Sequence, residues 1–506
     1  MSAAEEPARP LLLIPGVCGT ILNTRAAGAR GEGERAWVSL SGADLRYQKL
    51  WGTYDRSSGR VEGLSSDSEE VLVPTNGDAS GLYPISILDP DVQYGLPVVH
   101  YFDTFVEYLT SKQGYTCGTD LFGFGYDFRQ SNSAHVPALL DRLRSMHALT
   151  GRRADILSHS MGALVVRSLL IDHAAEFEKL VETWIAVAAP FGGAPGFGSD
   201  ALLTGVQFAG SLGAYFFVDR GTFRQACVQS PAVYELLPPS HFPYAAPAPE
   251  LTLWLTTPLP GGGEGAAALP LGAAAQPRTP ARQCASEHPP ARPRSVRRVA
   301  VPSAIHPSMH RPGPEAAAAE AAAGVRTLGP EEAPLASWHE AHEYKFALDQ
   351  LGGVLQGVLE GNSVSIGGQA VAMPFNPDVW QRAVDSHSAW SACTFPRTSR
   401  FYNLYGKGYP TPYSLQYGSW WFPVSELKAL PHANASYTYV DGDGTVPTES
   451  AMADGFDAVE RVGLVGAHRP LISMQSAWDQ IMTWIRAGGE PAGGAVGGGF
   501  QMVGHP

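Results

Sequence analysis

The sequence predicts an α/β fold, a mostly parallel sheet covered by helices on both faces, and three observations carry that expectation. Short apolar runs of strand length alternate with helix-like stretches along the chain. One of those strands passes through a sharp turn directly into an apolar helix, at Leu157-Ser158-His159-Ser160-Met161-Gly162. Hydrophobic residues make up 44% of the 506 and charged residues 16%, a balance that suits a large core and does not suit wholesale disorder.

The first run, Pro10 to Ile14, reads as a short buried strand that ends in the tight turn Pro15-Gly16. Arg153 to Leu157 reads as a second strand, and Ala163 to Leu170 as the helix beyond the turn. Trp184 to Ala189 is a third, closing on Pro190-Phe191-Gly192-Gly193-Ala194-Pro195. Tyr437 to Val440 is a late strand that runs into Asp441-Gly442-Asp443-Gly444-Thr445-Val446-Pro447.

Composition divides the chain. Residues 8–244 are expected to form the first part of one catalytic domain and residues 336–488 the second, with cap segments and the late Asp and His loops. Residues 245–335 turn to Ala, Pro, Gly and Arg, including Gly261-Gly262-Gly263 and a basic block from Ala291 to Arg298. Such a segment buries too little to offset its ordering entropy, so it reads as a disordered, low-complexity insertion; a basic membrane tether is the alternative. The alanine-rich stretch from Glu315 reads as a transient helix, and residues 489–506 as a flexible Gly-rich tail.

The formal charge of -13, 48 acidic against 35 basic side chains, repels phosphate backbones and argues against nucleic acid as a partner. Met1 to Pro10 lacks the basic and apolar regions of a secretory signal, so no export is expected. No stretch reaches the ~18 apolar residues of a transmembrane segment; Leu164 to Ile171 is interrupted by Arg167. Five scattered cysteines, Cys18, Cys117, Cys227, Cys284 and Cys393, give no CxxC pair and suit a reducing compartment. The expected location is therefore cytoplasmic.

A serine hydroxyl attacks only when a base takes its proton, and a strained strand-to-helix turn holds its oxygen out over a sheet. Ser160 has that context. The usual elbow is G-x-S-x-G; here Gly162 is kept and the first glycine is Ser158, still small and read as a steric substitute. These features specify an α/β-hydrolase fold, with lid or cap insertions, in which an acid and then a histidine follow the serine. Asp443 is the favoured acid, from the Asp-x-x-Val-Pro frame, and Asp441 the runner-up. A calcium loop fails, because Met452 stands where a bidentate Glu is needed and Thr445 replaces a ligand. Only His468 and His505 lie further on, and His505 is in the tail, so His468 is the base by elimination. Pro470 is poised to begin a helix just after it. The oxyanion donors expected are the N–H groups of Met161, after the nucleophile, and Val17, after the first strand. This chemistry, an acyl-enzyme ester passed to an acceptor, calls for no cofactor and no metal.

Two features compete for other readings. His339-Glu340-Ala341-His342 spaces its histidines at i+3, whereas a zinc-protease helix needs i+4. Trp420-Trp421-Phe422-Pro423 is read first as core packing, with a lipid-facing surface as the alternative.

Taken together, Ser158 to Gly162, Gly125-Tyr126-Asp127-Phe128-Arg129-Gln130, Ala188 to Pro195 and Val440 to Ser450 resemble the lecithin:cholesterol acyltransferase family, in particular its plant and algal phospholipase A branch. The resemblance covers most of the chain outside the insertion and tail and is tightest from Val440 to Arg469. It implies a glycerophospholipid donor at a membrane surface, Ser160, Asp443 and His468 as a triad, and Val17 and Met161 at the oxyanion. The signal peptide and disulfide-closed lid of secreted members are missing, as is the N-terminal membrane segment of the diacylglycerol-acylating branch. That tilts the expected acceptor toward water and leaves a lipid alcohol open.

Overall fold

The computed structural model describes residues 9–40, 42–64, 69–92, 99–207, 218–240, 242–244, 247–257, 259 and 341–487. Most of the expected insertion, the Glu315 stretch and the tail lie outside the described residues.

Ten of the described strands build two sheets: β1 Leu11–Ile14, β2 Leu121–Gly123, β3 Ala154–His159, β4 Val181–Val187, β5 Glu250–Leu255, β6 His342–Ala347, β7 Arg400–Lys407, β8 Tyr409–Tyr417, β9 Ala435–Gly442 and β10 Glu460–Val465. The central sheet has the order β10-β7-β4-β3-β1-β2, with every neighbouring pair parallel. A parallel sheet can bury both faces, so its inner strands carry apolar runs instead of a strict alternation, Leu11 to Ile14 in β1, Ile156 and Leu157 in β3 and Trp184 to Val187 in β4. β1 and β3 are buried at every residue, with Leu13 opposite Leu157 and Leu157 opposite Ile185. The helices α1 Val136–Thr150, α2 Gly162–Asp172 and α3 Gln475–Ala487 are among those that flank it. This is the predicted α/β-hydrolase layout. Each expected strand forms, shifted by one to three residues at its ends.

Arg167, which breaks the apolar run of α2, is itself buried. It donates from Nη2 to the Trp390 carbonyl at 2.8 Å and lies over the Phe191 and Phe456 rings, so its charge is met by a carbonyl dipole and two π faces. No helix of the described residues is long and apolar enough to cross a membrane.

The second sheet, β6-β5-β8-β9, is mixed: β5 pairs antiparallel with β6 and parallel with β8, and β8 pairs antiparallel with β9. Here two expectations need correction. The low-complexity insertion was expected from residue 245, yet β5 lies inside that range. Its Leu251, Leu253 and Leu255 alternate inward and are fully buried. A six-residue strand is enough to form a ladder but too short to alter the average composition of its surroundings. The Trp420 to Phe422 cluster does not pack in the core. It occupies a tight turn closed by reciprocal bonds between Ser419 and Phe422, with Trp420 55%, Trp421 74% and Phe422 82% exposed. Among the described residues only Trp420 has an aromatic neighbour, meeting Trp254 edge-on.

Candidate active site

The carboxyl ends of β1, β3 and β10 lie at one edge of the central sheet, where open α/β sheets place their ligands. Ser160 leaves β3 with φ +55°, a left-handed conformation that costs a non-glycine residue about 1–2 kcal/mol and persists only when its surroundings enforce it. The surroundings do so. The Ser160 N–H donates to the Val187 carbonyl at 2.8 Å, and its own carbonyl accepts from Ala163 N–H at 3.0 Å as α2 begins. A Cβ on Gly162 would sit 2.4 Å from the Pro15 carbonyl, and one on Gly16 would sit 2.7 Å from the Ser160 Cβ. The β1 turn and the elbow can therefore touch only as glycine backbone.

Ser158, in place of the first elbow glycine, is fully buried, and its hydroxyl accepts the Trp184 indole N–H. It is a partner for Trp184 as well as a small residue.

His468 stands 2.9 Å from Ser160 Oγ through Nε2 and 2.8 Å from Asp443 Oδ2 through Nδ1. Asp443 is 1% exposed, and its other oxygen accepts the N–H groups of Thr445 at 2.9 Å and Val446 at 2.7 Å. That cradle fixes the carboxylate and aims Oδ2 at the imidazole. The backbone repeats the link: His468 N–H donates to the Asp443 carbonyl at 2.8 Å. Asp441, the runner-up, is turned away, accepting from Gly408 N–H and the Thr448 hydroxyl. His468 sits in the loop after β10, and Pro470 opens a short 3-10 turn ahead of α3. The acid departs from the simplest layout of the fold, since it follows β9 of the second sheet.

Met161 caps α2 and Val17 lines the cavity beside Ser160. Among the described residues, neither amide takes part in the backbone hydrogen bonds of the surrounding turns. Met161 stands at the N-terminus of α2, where the helix dipole favours negative charge. The cavity is walled by Trp37, Val38, Leu88, Val99, Phe197 and Leu236 and is predominantly apolar. A larger cavity, about 760 Å³, opens between Tyr54, Arg382 and Trp390; none of the predicted site residues lines it.

The other quoted blocks support this centre. Tyr126 donates to the Pro15 carbonyl at 2.9 Å, steadying the turn that carries Val17. Burial pushes the Asp127 carboxyl up, but the Arg129 guanidinium, bound at 2.9 and 2.7 Å, outweighs it and holds the pKa down at about 2. Ser450 receives Gly192 N–H at 3.1 Å, tying the block after β4 to the one after β9.

Two further residues escaped the sequence reading. Tyr101 receives Gly16 N–H at 3.0 Å and lies 2.5 Å from His159 Nδ1, and His159 Nε2 lies 3.0 Å from the His468 carbonyl. His159 was visible as the elbow residue just before Ser160. Tyr101 is 58 positions from it and carries no motif.

A family model for lecithin:cholesterol acyltransferase matches residues 54–253. Over 483 residues the chain is 32% identical to "Phospholipase A(1) LCAT3" of Arabidopsis thaliana, an alignment covering 94% of this chain and 90% of that one. The chain belongs to the lecithin:cholesterol acyltransferase family. It is 31% identical to "Lecithin-cholesterol acyltransferase-like 4" of the same plant, over 95% of this chain and 76% of the other. Similarity to the "Lysosomal phospholipase A and acyltransferase" of Rattus norvegicus is 29% over 144 residues, 28% of this chain and 33% of that one. Family membership and the parallel central sheet agree on the α/β-hydrolase fold.

Proposed function

We propose that this member of the lecithin:cholesterol acyltransferase family is a phospholipase A-type acyl hydrolase that works through a Ser160-His468-Asp443 triad. The observation that carries the reading is the continuous relay from Asp443 through His468 to Ser160, opening on an apolar cavity. His468 Nε2 takes the Ser160 proton as Oγ attacks the ester carbonyl of a glycerophospholipid. The oxyanion is held by Met161 and Val17 N–H. His468 then returns the proton to the leaving glycerol oxygen, and the fatty acyl group stays on Ser160. A second O–H, deprotonated by His468, attacks the acyl-enzyme and releases either fatty acid or a new ester.

The lipid donor is supported by the family and by the relative named phospholipase A(1). The second reading, transfer to a sterol or diacylglycerol hydroxyl, is favoured by relatives whose names include acyltransferase. Labelled phosphatidylcholine vesicles with and without each alcohol separate the two. We expect free fatty acid throughout; a labelled sterol ester or triacylglycerol that replaces it would reverse the order.

The location we propose is cytoplasmic and peripheral to a membrane. Cys18, Cys117, Cys227 and Cys393 are free thiols, which suits a reducing compartment. The exposed Trp420, Trp421 and Phe422 carry the amphipathic aromatic chemistry of a bilayer interface, with no charge between Gly418 and Val424. Cell fractionation that leaves the protein wholly in an oxidising lumen would refute this location.

A further inference from the structure

Beside the relay runs a second chain of hydrogen bonds that the mechanism above does not use. It starts at Gly16 N–H, passes through the Tyr101 hydroxyl and the His159 imidazole, and ends at the His468 carbonyl, with separations of 3.0, 2.5 and 3.0 Å. Its direction is fixed by elementary chemistry. A carbonyl only accepts, so His159 Nε2 must carry a hydrogen. In the neutral ring Nδ1 is then bare and must accept, so Tyr101 donates to it while receiving the Gly16 amide. Tyr101 and His159 each accept one bond and donate one, so no donor or acceptor is doubled.

We infer that Tyr101 and neutral His159 are positioning residues that lock the oxyanion turn and the loop of the general base to a common distance from Ser160. The ends of the chain are what matter. Gly16 precedes Val17, the proposed oxyanion donor, and the His468 carbonyl belongs to the proposed base. His159 adjoins Ser160 in sequence, so one buried ring ties all three moving parts together. His159 is 2% and Tyr101 4% exposed, so water does not compete for these bonds. Within a reactive geometry, displacement by an ångström costs up to about 100-fold in rate.

The ring must also stay uncharged. Its centroid lies 5.0 Å from that of His468, which carries positive charge during each proton transfer, and Arg469 lies over the Tyr101 ring on the other side. Burial, then the charges of His468 and Arg469, lower the His159 pKa well below the usual imidazole value. Tyr101 helps by filling Nδ1 with its own hydrogen, so that protonation requires breaking a buried bond.

This inference rests on the serine acyl-enzyme reading, and the experiment keeps the two apart. The full chain is treated with a fluorophosphonate probe and assayed on a soluble short-chain ester. Tyr101→Phe keeps the ring and its contact with Phe102 at 4.8 Å, losing only the hydroxyl. It is expected to lower kcat and the labelling rate at Ser160 about tenfold with KM little changed, and to move the acid limb of the pH profile upward, because Nδ1 is now open to a proton. His159→Gln, which still presents a donor to the His468 carbonyl, is expected to retain more activity than His159→Leu. Circular dichroism and thermal melts establish that each variant is folded; because Tyr101→Phe removes a single oxygen, it serves where a His159 variant fails to fold. If the wild type labels at Ser160 and folded Tyr101→Phe labels equally fast with an unmoved acid limb, the inference is overturned alone. A wild type that does not label overturns the acyl-enzyme reading and the inference with it.

Discussion

The indole N–H of Trp184 donates to the Ser158 hydroxyl at 2.8 Å, pairing β4 with β3 two residues before Ser160. Both side chains are fully buried, so the elbow position that most such enzymes give to glycine here satisfies a buried donor. Restoring the consensus by Ser158→Gly leaves that N–H without an acceptor. It should cost about 1–3 kcal/mol of stability, read by denaturant unfolding, while the folded variant keeps its turnover. A Ser158→Gly protein as stable as the wild type would contradict this.

Within the relay, Asp443 and Asp441 separate cleanly. Asp443→Asn should lower kcat by about 10³–10⁴, by analogy with other serine triads, because the amide cannot hold the productive tautomer of His468. Asp441→Asn, whose bonds go to Gly408 and Thr448, should leave it nearly unchanged. Ester hydrolysis by the two variants side by side decides which aspartate is the acid.

Gly16→Ala places a methyl 2.7 Å from the Ser160 Cβ and 3.1 Å from its Oγ. The nucleophile or the Val17 turn must shift, and a displacement of that size should reduce kcat about 10- to 100-fold. Titration with the fluorophosphonate probe, which counts competent sites independently of their speed, distinguishes a slowed centre from a lost one.

Trp421→Ser combined with Phe422→Ser should reduce binding to phosphatidylcholine vesicles at least about tenfold, since each ring contributes roughly 1.5–3 kcal/mol when moved from water to an apolar surround. Hydrolysis of a soluble short-chain ester should be unaffected. Co-sedimentation measured in the Ser160→Ala background keeps lipid turnover out of the comparison. Equal binding by the two proteins would remove the aromatic turn from the account of membrane association.

Asp155 offers a pH test of the fold. It is fully buried; burial raises its pKa to about 6 even though Arg9 lies 3.0 Å away and pulls the other way. The folded value lies above the unfolded one of about 3.9, so the native state binds the extra proton between those values. This group's contribution therefore declines as pH rises from about 4 to about 6, by a loss on the order of 3 kcal/mol, and is constant above. Asp155→Asn should remove that decline, so melts of the two proteins between pH 4 and pH 7 should change their separation through this window and not beyond it.

The sheet and the relay were legible because each rests on local pattern. β1, β3 and β4 are buried on both faces and so carry short apolar runs, and Ser160, Asp443 and His468 follow one another in the order the fold requires. The choice between Asp441 and Asp443 was not fully legible, since they stand two residues apart and only their contacts, Asp443 with His468 and Asp441 with Gly408 and Thr448, distinguish them. β5 was missed because six alternating residues vanish inside a composition average. Tyr101 was missed for a different reason: its role depends on a contact with His159 that no spacing along the chain encodes. The Trp420 turn defeated the rule that large rings go inside, because a four-residue turn between Ser419 and Phe422 has no inner face to offer them.

The central sheet also has a seam. Its strands β1 to β4 come from residues before 188 and its strands β7 and β10 from residues after 399, joined by a single parallel pairing of β4 with β7. Ser160 belongs to one side, and Asp443 and His468 to the other. Half-chains produced as separate polypeptides would each lack a partner for proton transfer, so any ester cleavage on mixing them would report that β4 and β7 had found each other. The enzyme can thus serve as its own complementation assay, with turnover as the signal for assembly of two inert fragments.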